Sequence, residues 1–277
     1  LHNLHPGHLP IWPLMFVTVA CGAISGFHAT QSPLMARCVT SEYQSRKVFA
    51  GSMIMEGIIA LVWAAAGCAV YEKTGGLMTG LHEMLAQSGQ AGVVYDICLK
   101  TIGPLKWGTV SFGLLFVMIG VIICPITSGD TAFRAARLVL ADWLKIDQKP
   151  FLKRLRLSVP LLLAGVIISC LPYDVIWRYF SWSNQTLAMI MLWAATVYLH
   201  GKNRPYFLAC IPAIFMTAVS GTYFLIAPEC LHLPSAFAYP LGLLLTALIS
   251  YYFISHIRRI PKVNPTLHTK SNAQGRK

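Results

Sequence analysis

The sequence predicts an all-α, polytopic helical membrane protein with about seven transmembrane helices, and three observations carry that expectation. The chain is 56% hydrophobic and only 12% charged, against about 25% charged in ordinary soluble domains. Its apolar residues gather into seven segments, roughly 11–36, 48–70, 107–126, 157–172, 183–199, 206–227 and 238–257, most of them near the ~20 residues that span about 30 Å of hydrocarbon. The basic residues lie between these segments. If all seven cross, Lys and Arg divide eighteen to four between the two sides, with only Lys73, Lys100, Lys106 and Arg178 on the poorer side. This asymmetry places the C-terminus in the cytoplasm and residue 1 outside. The net charge of +12 therefore reads as an orientation signal, and no nucleic-acid partner is expected.

Residues 1–10, LHNLHPGHLP, form an extracytoplasmic lead-in. His2, His5 and His8 recur every third residue, but the Pro6-Gly7 turn denies them one helical face and neither Cys nor acid accompanies them. No metal site is expected. The transmembrane domain covers 11–257. It includes an outer loop over 71–106, a lid or a plain connector, with room for a short surface helix near 80–90. A polar cytoplasmic tail without apolar periodicity covers 258–277. The eight cysteines contain no CxxC pair and sit mostly in apolar runs, as small buried hydrophobes.

The first segment is the unusual one. IWPLMFVTVACGAISGFHATQSPLMARC begins apolar enough to enter a bilayer, then places Gly22, Ser25, Gly26, His28, Thr30, Gln31, Ser32 and Pro33 at membrane depth. A helix in lipid must satisfy its backbone internally, so a break at depth has to face protein or a watery cavity. Discontinuous helices of this kind hold substrate in secondary transporters. A re-entrant loop or a Pro-kinked packing helix is the other reading. His28 is a substrate contact in the first reading and hydrogen-bonded structure in the second.

Two more polar sites fall inside apolar segments. Glu56, in GSMIMEGIIALVWAAAG, lies about eight residues, or ~12 Å, into the second span. It is a proton relay or a neutral acid bonded to a neighbouring helix. In CPITSGDTAFRAARL, Pro125 and Gly129 are expected to interrupt the third span, with Thr127, Ser128, Asp130 and Thr131 gathered at the break. Hard oxygens suit Na⁺ or a shared proton, while Arg134, four residues after Asp130, offers a plain ion pair instead. Asp174, Arg178, Ser183, Asn184 and Gln185 read as an outer cap without assigned chemistry.

Together with YFSWSNQTLAMIMLWAATVYL, these stretches closely resemble the carbon starvation protein A family of bacterial inner-membrane transporters, over most of residues 10–200. The resemblance implies uptake of peptides or, in some members, of pyruvate during nutrient limitation. It also implies an inverted-repeat core like that of amino acid/polyamine/organocation (LeuT-like) transporters, two repeats of five helices. The first span here would be the sixth helix, opening the second repeat. The third would be the eighth, whose hydroxyls line a Na⁺ site in sodium-coupled relatives.

The departure is that the matching first repeat is absent. The chain is thus expected to be the C-terminal part of such a transporter, completed by a missing N-terminal repeat or by a separate subunit. The resemblance brings no assigned residues, so the sites rest on position and chemistry. Gly22, Ser25, Gly26, His28, Thr30, Gln31 and Ser32 would contact substrate. Glu56, Thr127, Ser128, Asp130 and Thr131 would handle the coupling ion, H⁺ or Na⁺, with no other cofactor. An enzyme is not expected, since HExxH, GxSxG and paired acids at ligand spacing are all missing. A pyruvate/H⁺ symporter is the nearest alternative, and a membrane sensor or channel subunit the alternative of a different class.

Overall fold

A computed structural model describes residues 10–18, 25–72, 80–103, 106–107, 110–257 and 259. Nearly all of them are helical: α1 (Ile11–Thr18), α2 (Gly26–Cys38), α3 (Ser52–Glu72), α4 (Gly80–Thr101), α5 (Phe112–Trp143), α6 (Phe151–Ser169), α7 (Tyr173–Gly201), α8 (Phe207–Ile226) and α9 (Ser235–Ile257). A π-helical stretch, Arg46–Gly51, leads into α3. Two-residue strands β1 (Lys106–Trp107) and β2 (Val110–Ser111) pair antiparallel ahead of α5. Gly22, the histidines of the lead-in, the Asp174 side chain and the tail, apart from residue 259, lie outside the described residues.

Four helical stretches, Glu42–Tyr71, Gly113–Trp143, Phe207–Ile226 and Ser235–Ile257, are long and apolar enough to cross a membrane by length and composition. The other three segments read as crossings are helical as well, with differences that have physical causes. In the first, α1 is described to Thr18 and α2 starts at Gly26, after the non-helical Ser25. The first two turns of α6 carry Lys153, Arg154 and Arg156, and α7 starts well ahead of its apolar run, at Tyr173. Ile54, Leu61, Val62, Ile122, Ile126, Val166 and Ile167 are each more than half exposed. Bare apolar surface on this scale calls for lipid or further protein. The chain is a helical membrane protein.

The described chain falls into two compact units, one over 30–171 and one over 10–29 with 172–277, divided within α2. In the first, α3 packs on α4 through Val70, Tyr71 and Ile97. Tyr71 donates to Asp96 Oδ2 at 3.2 Å, and Lys100 pairs with the same oxygen at 2.8 Å. The helix expected near 80–90 continues to Thr101, because Val93 and Ile97 give its second half an apolar face toward α3. Gly89 kinks it, at φ 62° and ψ −168°, a region that only glycine occupies without strain. Gly89→Ala is expected to destabilise the chain by about 1–3 kcal/mol, although its Cβ would meet nothing within 4 Å. Gly57→Ala, equally open but within α3, should be neutral or stabilising by up to about 1 kcal/mol. Thermal unfolding of the two variants in detergent checks the contrast.

The expected break at 124–131 is corrected by the structure, since α5 runs unbroken from Phe112 to Trp143 through Pro125 and Gly129. Proline removes one backbone donor, and nearby hydroxyls help the helix continue. Thr127 Oγ1 donates to the carbonyls of Ile123 (3.2 Å) and Cys124 (2.9 Å), and Thr131 Oγ1 to that of Thr127 (2.8 Å). The helix closes after Leu144 with Ile146 N–H bonded to Ala141 O and Lys145 N–H to Asp142 O, Lys145 taking the left-handed conformation at φ 55°. From there α6 folds back on α5. Phe133 lies so close to Gly165 that a Cβ there would fall 2.5 Å from the ring.

In the second unit α8 is the central helix. More than half of its apolar span (56%) is buried, against none in α5. It packs on α7, α9 and α1. Trp12, Phe16 and Phe215 form a triangle of edge-to-face rings with centroids 5.2–5.7 Å apart, which fixes α1 on α8. Polar side chains join the helices as well: Trp193 Nε1 donates to Thr217 Oγ1 at 3.0 Å, and the hydroxyls of Thr186 and Ser220 lie 2.6 Å apart. Gly242 of α9 sits on Thr222 of α8, close enough that a Cβ would fall 2.6 Å from its hydroxyl.

Candidate functional site

Within the first segment the described residues contain a helix start: Ser25 is non-helical and α2 begins at Gly26. α1 is described as far as Thr18, and residues 19–24 lie outside the described residues. A helix start leaves its first N–H groups without intrahelical partners. Adjacent residues of α7 bond one N–H at the start of α2 and one carbonyl of α1.

At α2, Ser25 is the local cap. Its Oγ accepts from Phe27 N–H at 3.2 Å and its carbonyl from His28 N–H at 3.2 Å. Asn184 reinforces it from α7. Its Oδ1 accepts from Phe27 N–H at 2.9 Å and from Ser25 Oγ at 3.1 Å, while its Nδ2 lies 3.0 Å from Ser25 Oγ, which accepts from it. At α1, Gln185 Nε2 donates to the carbonyl of Phe16 at 3.2 Å. Neighbouring side chains on α7 thus bond both α1 and the start of α2. A helix start inside an apolar segment costs little only when its backbone groups are paired, and here Phe27 N–H and His28 N–H are paired by protein.

Close packing reinforces the same junction. A Cβ on Gly26 would fall 2.5 Å from the Asn184 carbonyl oxygen and 2.6 Å from Leu187 Cβ. Gly26 is therefore the point at which α2 touches α7, and Ser25, at 6% exposure, is engaged in capping. On α7, Ser181 and Gln185 are one turn apart and each is 2% exposed, yet Ser181 Oγ and Gln185 Oε1 have no hydrogen-bond partner among the described residues. Buried polar atoms of this kind are rare, and each calls for an explanation. Further along α2, His28, Thr30, Gln31 and Ser32 are half-buried.

The residues expected to handle a coupling ion are placed differently. Glu56 lies on an exposed face of α3. Thr127 and Thr131 spend their protons on α5 carbonyls, and Asp130, 70% exposed, pairs with Arg134 at 3.2 Å. Asp130 also lines a cavity of about 410 Å³ that contains Arg134, Arg137 and Arg154. Three guanidinium groups make that carboxylate a poor seat for a further cation.

Two features escape the sequence reading. Asn184 and Gln185 can be read only as a cap, although adjacent amides within an apolar helix signal work inside the membrane. Glu229, in the connection from α8 to α9, has a side chain only 8% exposed. It accepts from Tyr223 Oη at 2.6 Å, with Arg178 Nε at 4.0 Å. Its signal is rarity, as Asp174 and Glu229 are the only acids after Asp147.

Comparison with known proteins gives these features a context. The family model described as carbon starvation protein CstA matches residues 4–86. An uncharacterized protein of Haemophilus influenzae is 46% identical over 129 residues, covering 47% of this chain and 88% of that one. The peptide transporter CstA of Escherichia coli is 24% identical over an alignment covering 75% of this chain and 39% of the transporter. The pyruvate/proton symporter BtsT of the same organism is 24% identical, covering 75% and 40%. The chain thus spans about two fifths of the length of these named transporters. No solved structure matches. The quoted segments, the helical membrane fold and these relatives agree, and the chain belongs to the carbon starvation protein CstA family.

Proposed function

We propose that the chain forms part of a secondary active transporter that imports peptides during carbon starvation by ion-coupled alternating access. The observation that carries this reading is the helix start at Gly26 within the first apolar segment, held by Asn184 while Gln185 bonds α1. A helix start capped this fully inside an apolar segment serves a purpose beyond packing, and binding at the midplane is the use that membrane transporters make of discontinuous helices. Gly22, Ser25, Gly26, His28, Thr30, Gln31 and Ser32 supply the substrate surface in this reading. Ser25 and Gly26 contribute through the junction they form, and the unsatisfied oxygens of Ser181 and Gln185 add polar groups beside it. The names of the relatives support two substrates, peptides and pyruvate.

The coupling ion is H⁺ or Na⁺, handled by Glu56, Thr127, Ser128, Asp130 and Thr131. Because α5 is continuous, coordination would come from side chains without freed carbonyls. The arginines beside Asp130 shift the sodium form of the reading toward the three hydroxyls. The C-terminus is cytoplasmic in this proposal, on the eighteen-to-four division of basic residues.

The test is uptake of a labelled dipeptide and of labelled pyruvate into membrane vesicles from cells making the protein, under imposed pH and Na⁺ gradients. Gradient-driven accumulation of one substrate is expected. Asp130→Asn should abolish it if the carboxylate carries the coupling proton and leave it intact if the hydroxyls hold Na⁺. Absence of accumulation under every gradient would favour a sensor or channel subunit.

A further inference from the structure

We propose that the hollow between α5 and α6 binds a phosphate-bearing anion, presented in the cell by the headgroup of an anionic phospholipid. The hollow is a cavity of about 410 Å³, within the size range of small-molecule sites. Three guanidinium groups line it against one carboxylate. Asp130 is already paired with Arg134, at 3.2 Å. Arg137 donates from Nη1 to Ser158 Oγ at 3.5 Å, a long bond, and its Nε is buried without a hydrogen-bond partner among the described residues. Arg154 rests its guanidinium 5.8 Å from the Phe151 ring centroid, and no carboxylate pairs with it among those residues. Two arginines therefore keep donor capacity that one carboxylate cannot satisfy, and a planar fork of N–H groups matches phosphate oxygens.

Depth along the helices points to the same occupant. At 1.5 Å per residue, Asp130 lies ~26 Å and Arg137 ~36 Å beyond Gly113, so the hollow opens about where 30 Å of hydrocarbon ends. On α6, Arg154 precedes the apolar run and Ser158 stands at its start, while Leu161 and Leu162 give the hollow an apolar wall toward the membrane side. Arginines above and leucines below suit a headgroup with its chains attached better than a free ion. Lys145, Lys149 and Lys153 in and beside the connecting turn strengthen the field. Basic pockets between membrane helices attract anionic headgroups by this means. The proposal is independent of what the protein transports.

The experiment is native mass spectrometry of the purified full chain in detergent, titrated separately with phosphatidylglycerol, cardiolipin and phosphatidylcholine. Inorganic phosphate is the second arm, followed by calorimetry. The anionic lipids should be retained and phosphatidylcholine lost. The double variant Arg137→Gln/Arg154→Gln should weaken retention by about thirtyfold. Arg154→Gln alone, at an exposed position where folding is not at risk, should account for about fivefold of this. Lys149→Gln, outside the hollow, should stay within about twofold of the parent. Inorganic phosphate binding with the same arginine dependence, without lipid retention, would support the anion site and make its occupant a soluble phosphate. Equal retention of phosphatidylcholine, or unchanged affinity in the double variant, would overturn the proposal.

Discussion

Replacing Asn184 with leucine is expected to reduce transport to background and to lower the melting temperature of the full chain. Leucine occupies similar space but makes no hydrogen bond. Phe27 N–H would keep only the longer bond to Ser25 Oγ, and that hydroxyl, almost fully buried, would lose its contacts with α7. An orphaned buried polar group costs about 1–3 kcal/mol in soluble proteins. Between membrane helices the average is nearer 0.6 kcal/mol, because the unfolded reference state also finds partners. The stability loss should therefore lie toward the lower figure, and the larger effect should be geometric, since Asn184 both satisfies the start of α2 and fixes where it sits. Asn184→Asp separates the two effects. It keeps an acceptor for Phe27 N–H and places negative charge where the helix dipole favours it. Initial uptake rates should rank the parent first, aspartate second and leucine last. A leucine variant with parental uptake and melting would remove the junction from the mechanism.

What the sequence discloses and what it conceals follow from the range of each interaction. Although Pro33 lies within α2, the helix start at Gly26 is legible because Gly and Ser in an apolar run conflict with a lipid-spanning helix over a few residues. Its partners are not, because Asn184 pairs with Ser25 across 159 positions and such contacts leave no local pattern. Pro125, Gly129 and the hydroxyls around them mislead for another reason. The residue types that mark a break are also those that carry a helix past a proline, and only the backbone distinguishes the two uses. The Asp130–Arg134 pair, four residues apart on one helix, is local and so is readable in advance. The second half of α4 is hidden because Val93 and Ile97 form a face too short to register among Gln, Ser and Gly, yet long enough to dock on α3.

Gly26→Ala tests whether the start of α2 is a packing contact, a substrate contact or both, and it should have a large effect for a single added methyl group. The new Cβ would fall 2.5 Å from a backbone oxygen of α7 and 2.6 Å from Leu187 Cβ. A backbone atom cannot rotate aside, so α2 must move away from α7. Overpacking of this kind costs about 1–3 kcal/mol, and the movement also stretches the bonds from Asn184 to Phe27 and Ser25 that depend on the close approach. The packing role predicts a lower melting temperature together with lost uptake. A pure substrate contact predicts parental melting with a raised KM. Gly129→Ala is the matched control, since that position is helical and open, with nothing within 4 Å of the added carbon. If α5 is continuous there, alanine should be neutral or stabilise the helix by up to about 1 kcal/mol. If Gly129 instead serves a break that transport requires, its alanine variant should fail as Gly26→Ala does, and the continuous form of α5 would not be the working one.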